Sequence, residues 1–199
     1  MRGKTFTPTD YDVFAGLDVD KRSISVTFTN NEGFIRSLRM PYSVEHLLNH
    51  VRKHFPNQKV AFAYEAGPTG YGLYDGLEAQ AYPCLIASPS MIPKAPGQRV
   101  KTNRLDSRGL SENLRGGQLK SIHVPSPVYR ELRYLTQLRD TFVSEMVAMK
   151  LRIKSLLLFE GIGFPPAPPG SQWSFMVRAK LRKLPCSTTV RFKLDQLLD

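Results

Sequence analysis

The sequence predicts an α/β fold, a mixed sheet with flanking helices, followed by a long coiled-coil helical arm. Three observations carry this. Residues 13 to 40 give a short apolar run, an alternating apolar and polar stretch and a third strand across a turn signal, the pattern of an antiparallel meander. From residue 43 to 87 stretches of 3.6 period take turns with short apolar runs, the pattern of strands joined by helical crossovers. Tyr129 to Glu160 then runs without Pro or Gly.

Taken in order, Val13 to Asp18 is a short apolar strand, and Ile24, Val26 and Phe28 alternate with Ser25, Thr27 and Thr29 in a second. Asn30-Asn31-Glu32-Gly33 turns the chain into a third strand, Phe34 to Met40. Val44, Leu47, Leu48, Val51 and Phe55 line one face of a helix that starts at a Ser43 cap and stops before Pro56. Lys59 to Tyr64 is a buried strand ending at Glu65, and Pro68-Thr69-Gly70 breaks the chain. Tyr71 to Gln80 is a short helix and Tyr82 to Ala87 a fifth strand. This βββ-α-β-α-β order calls for parallel pairing after the meander. Ser88 to Gly97 is a Pro- and Ser-rich loop, and a helix starts near Thr102 or Asn103 and runs to about Leu114.

In the arm, Leu135, Leu138, Phe142, Met146, Met149, Ile153 and Leu156 follow coiled-coil spacing. Some 30 residues at 1.5 Å per residue give a rod roughly 45 Å long. Pro165 to Pro169 ends it, and two short amphipathic pieces separated by Pro185 follow. The expected domains are 1–120, 121–164 and 165–199. The last residues stop inside a helical pattern, so the chain is expected to be truncated.

The 199 residues carry 28 Lys and Arg against 17 Asp and Glu, a net charge of +11. A polyanion, nucleic acid first, is the partner such a surplus calls for. Two cysteines without CxxC spacing exclude a disulfide framework and a zinc ribbon. No signal-peptide pattern and no run long enough to cross a bilayer is present, so no membrane partner and a cytoplasmic location are expected.

Three acids stand where the strand order makes them informative. Asp18 ends the first strand, Glu65 ends the fourth, and Asp106 lies on the helix after the Pro-rich loop. First and fourth strands are neighbours in this order. If both carboxylates emerge at one edge with Asp106 above it, they form an oxygen-ligand cluster for Mg²⁺ or Mn²⁺. Two such metals about 4 Å apart serve phosphodiester chemistry. Any one of the acids alone reads as a turn or cap residue.

Residues 14 to 115 resemble the DEDD, RuvC-like (RNase H-like) N-terminal domain of the bridge-RNA-guided transposases of the IS110 family. The resemblance is carried by Ala15-Gly16-Leu17-Asp18-Val19-Asp20-Lys21, Tyr64-Glu65-Ala66-Gly67-Pro68-Thr69-Gly70, Ala87-Ser88-Pro89 and Arg99-Val100-Lys101-Thr102-Asn103-Arg104-Leu105-Asp106-Ser107. It implies metal-dependent cleavage or strand transfer of DNA at Asp18, Glu65 and Asp106, with Asn103 at the remaining acidic position. An amide is a neutral, weaker ligand than a carboxylate, so a metal there is held less tightly or with help from Asp20. The resemblance continues through the arm to Pro166. In the family a second domain with a serine nucleophile follows; Ser171, Ser174 and Ser187 have no adjacent base and read as loop and cap residues. The partners implied are transposon-end and target DNA and a guide RNA.

Six basic residues lie between Arg99 and Lys120: Arg99, Lys101, Arg104, Arg108, Arg115 and Lys120. Arg104 and Arg108, i and i+4, are candidates for neutralising a scissile phosphate, against the alternative of a solvated helix face. In the tail Lys180, Arg182 and Lys183 are candidates for backbone contact with nucleic acid. His46, His50 and His54 recur on the face of the first helix opposite its apolar stripe and read as solvated. Gly67 to Gly72 lacks the P-loop Lys and reads as a tight turn behind Glu65. Tyr64, Tyr71 and Tyr74 suit base stacking or core packing equally. The arm's apolar stripe suits pairing between two chains. Transposition or recombination of DNA by metal-dependent chemistry is therefore expected. The alternatives are a non-catalytic nucleic-acid-binding remnant and a nuclease like the Holliday-junction resolvases.

Overall fold

The computed structural model describes residues 6–93 and 103–199, with Asn103 and Arg104 described by their backbone only. The chain divides into two compact units, Met1–Val124 and Pro125–Asp199.

In the first unit, β1 (Val13–Val19), β2 (Ser23–Asn30) and β3 (Gly33–Pro41) form the antiparallel meander. The side-chain oxygen of Asn30 accepts from the backbone N–H groups of Glu32 and Gly33, both at 3.0 Å, and Gly33 takes a φ of +134°. That local bond fixes the turn the sequence calls for. Ser43 caps α1 (Val44–His54) by accepting from His46 N–H. Then come β4 (Val60–Glu65), α2 (Gly72–Glu78), β5 (Cys84–Ala87) and α3 (Asn103–Arg115). The sheet order is β3-β2-β1-β4-β5, with β1–β4 and β4–β5 parallel. The expected mixed sheet is what forms.

β1 and β4 are buried on both faces, which is why they read as unbroken apolar runs rather than alternating ones. One face carries Leu17, Val26, Phe28, Phe62, Tyr64 and Ile86 against Leu47, Leu48 and Val51 of α1 and Leu73 and Leu77 of α2. The other carries Phe14, Ala61, Ala63, Leu85 and Ala87 against Leu110 and Leu114 of α3. Each large side chain so removed from water contributes about 1.5–3 kcal/mol before entropy is counted.

The expectation that the three histidines share a solvated face needs correcting at His50. Its ring stacks on Phe28, with centroids 5.6 Å apart, and lies 4.3 Å from that of His54. Burial lowers its pKa below the ordinary 6.5, helped by His54, Arg36 and Lys53. The sheet is wide enough for α1 to settle its flank, not only its stripe, on Phe28.

The second unit is built on α4 (Pro127–Phe159), whose 33 residues give a rod about 50 Å long. Pro127 starts it, where the missing N–H costs nothing, and Gly161 at φ +64° follows its end. Ser174 and Ser187 cap α5 (Phe175–Leu181) and α6 (Thr188–Leu198), as expected of cap residues. Ile153, Leu156 and Leu157 pack with Val177, Leu181, Val190, Leu194 and Leu198. The apolar stripe of α4 therefore divides: its last turns are buried within the chain, while Leu135, Leu138, Phe142, Met146 and Met149 are exposed. No described helix is long and apolar enough to cross a membrane.

Candidate functional site

The parallel ladder between β1 and β4 pairs Val13 with Val60 and ends at Leu17 with Tyr64. Asp18 and Glu65 are each the next residue. They sit side by side at the C-terminal edge of two adjacent parallel strands, about 4.8 Å apart at the backbone. Strand alternation sends both to the same face. Phe14 and Gly16 face α3 from β1, as do Ala61 and Ala63 from β4, and Asp18 and Glu65 continue those two series. Asp18 is half-buried and Glu65 exposed.

Helix α3 is set on this face by close backbone contact. A Cβ built on Gly16 would lie 2.2 Å from the carbonyl oxygen of Ser107 and 2.3 Å from the amide nitrogen of Ser111. Ser107 Oγ lies 2.8 Å from Thr27 Oγ, which in turn lies 2.7 Å from Ser37 Oγ on β3. Ser111 and Thr29 meet one turn further along, through the Ser111 carbonyl. The helix thus runs antiparallel to β1, and its N-terminal turn lies toward the edge where β1 and β4 end. Asp106 is one turn before Leu110, on the flank that covers β1 and β4, and is half-buried. Asn103 is one turn before Ser107 along α3.

Asp18, Glu65 and Asp106 are therefore brought to one end of one face. Their carboxylate oxygens are the hard donors that Mg²⁺ or Mn²⁺ takes, so the donor set fits such an ion in kind. Among the described residues no three His, Cys, Asp or Glu side chains close into a metal-holding group. Asp20 is exposed in the β1–β2 turn, where its carboxylate accepts from Lys21 N–H at 3.2 Å.

The chain leaves Glu65 through a built turn. Gly70 N–H donates to the Gly67 carbonyl at 3.2 Å, Gly70 takes a φ of +67°, and the Tyr64 hydroxyl donates to the Gly70 carbonyl at 3.0 Å. Tyr64 is wholly buried, and burial pushes its phenol up, so it is a core residue and not a stacking platform. Tyr71 and Tyr74 pack on the edge of the same core.

The basic candidates separate. Arg99 and Lys101 lie outside the described residues. Arg108 pairs with Glu112 at 2.8 Å and lies over the Phe34 ring, 5.3 Å from its centroid. Phe34 is opposite Thr29, four residues along β2 from Ser25, the partner of Asp18. Arg108 is thus held over a part of the face about 13 Å along the strands from the row of the acids, and on the far side of β2 from Asp18. Arg182 pairs with the Asp199 carboxylate and Arg178 donates to the Leu198 carbonyl, fastening α5 to the end of α6. Lys180 and Lys183 are exposed.

One residue that sequence spacing passes over is Arg39. It is opposite Ser25, so Glu65, Asp18, Ser25 and Arg39 form one lateral row across four strands. The signal was present in the alternation of β3 but needed the register of three strands to be seen.

A family model described as a transposase, that of the DEDD transposases of IS110 elements, matches residues 15–160. Among curated proteins, "Putative transposase y4qE" of Sinorhizobium fredii (strain NBRC 101917 / NGR234) is 32% identical over 163 residues, covering 78% of this chain and 41% of that protein. The transposase for insertion sequence element IS1533 of Leptospira borgpetersenii is 24% identical over 159 residues, covering 77% of this chain and 46% of that protein. The chain spans less than half the length of these two relatives.

Proposed function

The chain belongs to the DEDD transposase family of IS110 elements, and from that premise we propose that its first unit carries metal-dependent cleavage or strand transfer of DNA during transposition. The observation that supports this most is the placement of Asp18 and Glu65 side by side at one sheet edge, with Asp106 one helical turn before the Leu110 contact. Asp18, Glu65 and Asp106 would hold Mg²⁺ or Mn²⁺, with Asn103 contributing a carbonyl oxygen and Asp20 within the adjoining turn. Such ions, when bound, polarise a phosphodiester and stabilise the leaving oxygen. The chain's own residues do the rest: the strand ends fix the spacing of the acids, and the Thr27–Ser107 hydroxyl pair holds the third acid's helix down. Arg104 supplies positive charge from the same turn of α3; Arg99, Lys101 and Arg108 of the first unit and, separately, Lys180, Arg182 and Lys183 of the second supply further contacts for DNA and a guide RNA. The exposed stripe of α4, from Leu135 to Met149, pairs with that of a second copy, bringing two sites to two DNA ends.

Binding without cleavage is the alternative, favoured by Asn103 at a family acidic position. One assay separates the two. The chain is incubated with transposon-end DNA and Mg²⁺ or Mn²⁺, and Asp18→Ala is compared with wild type. Cleavage abolished by the substitution supports the enzyme. Tight binding with no metal-dependent cleavage by wild type supports the binder. Calorimetric titration of Mn²⁺ into wild type and Asn103→Asp tests the amide, with tighter binding expected of the variant; equal affinity would remove its assigned role.

A further inference from the structure

We propose that Arg39 and Ser23 form a phosphate-binding subsite on the acid-bearing face, engaging a DNA phosphate that flanks the reacting one. This rests on the reading of that edge as the place where DNA is held. Three observations carry it. Arg39 shares a lateral row with Asp18 and Glu65: Asp18 is paired with Ser25, and Ser25 with Arg39. Arg39 also shares their face. Ser37, two residues before it, bonds Thr27, which bonds Ser107 of α3, and alternation returns Arg39 to that side.

The guanidinium is, thirdly, oriented by a neutral partner. Its Nε and one terminal nitrogen both donate to Ser23 Oγ, at 3.0 and 2.8 Å. Two of five donors are used, and no charge is cancelled. Arg108, Arg139, Arg182 and Arg191 each pair with a carboxylate; among the described residues Arg39 joins no such pair. An exposed, fixed fork with its remaining N–H groups in water is what bidentate capture of a phosphate needs.

Two strand spacings separate Asp18 from Arg39, about 10 Å. The axial rise of B-form DNA combined with its helical turn puts successive phosphates of one strand roughly 7 Å apart, so this span matches one to two nucleotide steps. A strand with one phosphate at the acids thus reaches Arg39 with a phosphate one or two nucleotides away. Lys21 and Arg22, exposed in the β1–β2 turn at the same edge, extend the positive rim beside it. Arg39 is a positioning residue here: it holds the strand and touches no reacting atom.

The test is fluorescence anisotropy of the full chain with a labelled DNA duplex of about 20 base pairs, repeated across a salt series. Removing one phosphate contact lowers the slope of log affinity against log salt by about 0.9. Arg39→Ala is expected to weaken binding with that loss of slope, and Arg39→Lys to restore the slope while binding less tightly than wild type. Because the side chain is exposed, unchanged circular dichroism is expected, and Arg52→Ala, on α1 against the opposite face of the sheet and bonded to Gln80, is the control whose slope stays near wild type. An Arg39→Ala slope equal to wild type, with DNA still bound, overturns the subsite while leaving the cleavage assignment standing. Loss of slope at Arg39→Ala with no cleavage at all sustains the subsite and removes the chemistry. Failure of wild type to bind DNA removes both.

Discussion

Gly16→Ala is the substitution that most directly tests how the acid-bearing edge is assembled. The new Cβ would meet backbone atoms on α3, the Ser107 carbonyl at 2.2 Å and the Ser111 amide at 2.3 Å. Ordinary contact begins near 3.4 Å, so the helix must lift from β1 by more than 1 Å. Overpacking of this kind costs about 1–3 kcal/mol. Separating the buried Thr27 and Ser107 hydroxyls adds about 1 kcal/mol. The total, about 2–4 kcal/mol, is a large share of the 5–15 kcal/mol typical of a domain. Urea denaturation read by circular dichroism measures it as a fall in midpoint at constant m-value. Gly109→Ala on the same helix is the control: a Cβ there meets nothing within 4 Å, and the exchange is expected to stabilise α3 by about 0.5–1 kcal/mol. A Gly16→Ala protein within about 0.5 kcal/mol of wild type would mean that α3 is not seated on β1 by backbone contact, and the placement of Asp106 would fall with it.

The remaining predictions concern the core that supports the edge. His50 is held neutral against Phe28, chiefly by burial, so the folded chain binds fewer protons there than the unfolded one. Stability therefore falls as pH drops through the ordinary 6.5, and His50→Leu flattens that dependence between about pH 7.5 and 5.5; an unchanged slope in urea midpoints contradicts it. Burial pushes the Cys84 thiol well up, whereas Cys186 is half-exposed. Maleimide labelling followed by mass spectrometry should modify Cys186 in the native chain and reach Cys84 only after unfolding, and equal labelling rates would show the β5 core to be open. Tyr64→Phe removes the bond to the Gly70 carbonyl and should cost about 1 kcal/mol in the same urea assay, with no loss meaning that the turn behind Glu65 holds itself.

Local patterns made most of the sheet legible. Asn30 to Gly33, the Ser43 cap and the Pro68 break each act through neighbours in sequence, so the elements they bound fall within a residue or two of expectation. Asp18 and Glu65 were legible because strand order follows from the change of period, and parallel register needs only the two strand ends. His50 was misread because helical spacing describes one helix alone. How far a helix tilts onto a sheet depends on the sheet's width, which no single periodicity encodes.

The cations show where linear reading fails. Arg108 drew attention by standing two residues after Asp106, yet residues i and i+2 on an α-helix point some 200° apart. If Asp106 leans toward β1 and β4, Arg108 must lean away, and it does, onto Phe34 and Glu112 at the far side. Arg39 is remote from every acid in sequence but one pairing from Ser25, which is one pairing from Asp18. The antiparallel meander folds it back into the same row, and a row across strands is invisible until each register is fixed. Between these two cations, the register of the strands and not the spacing along the helix decides which one shares a row with Asp18.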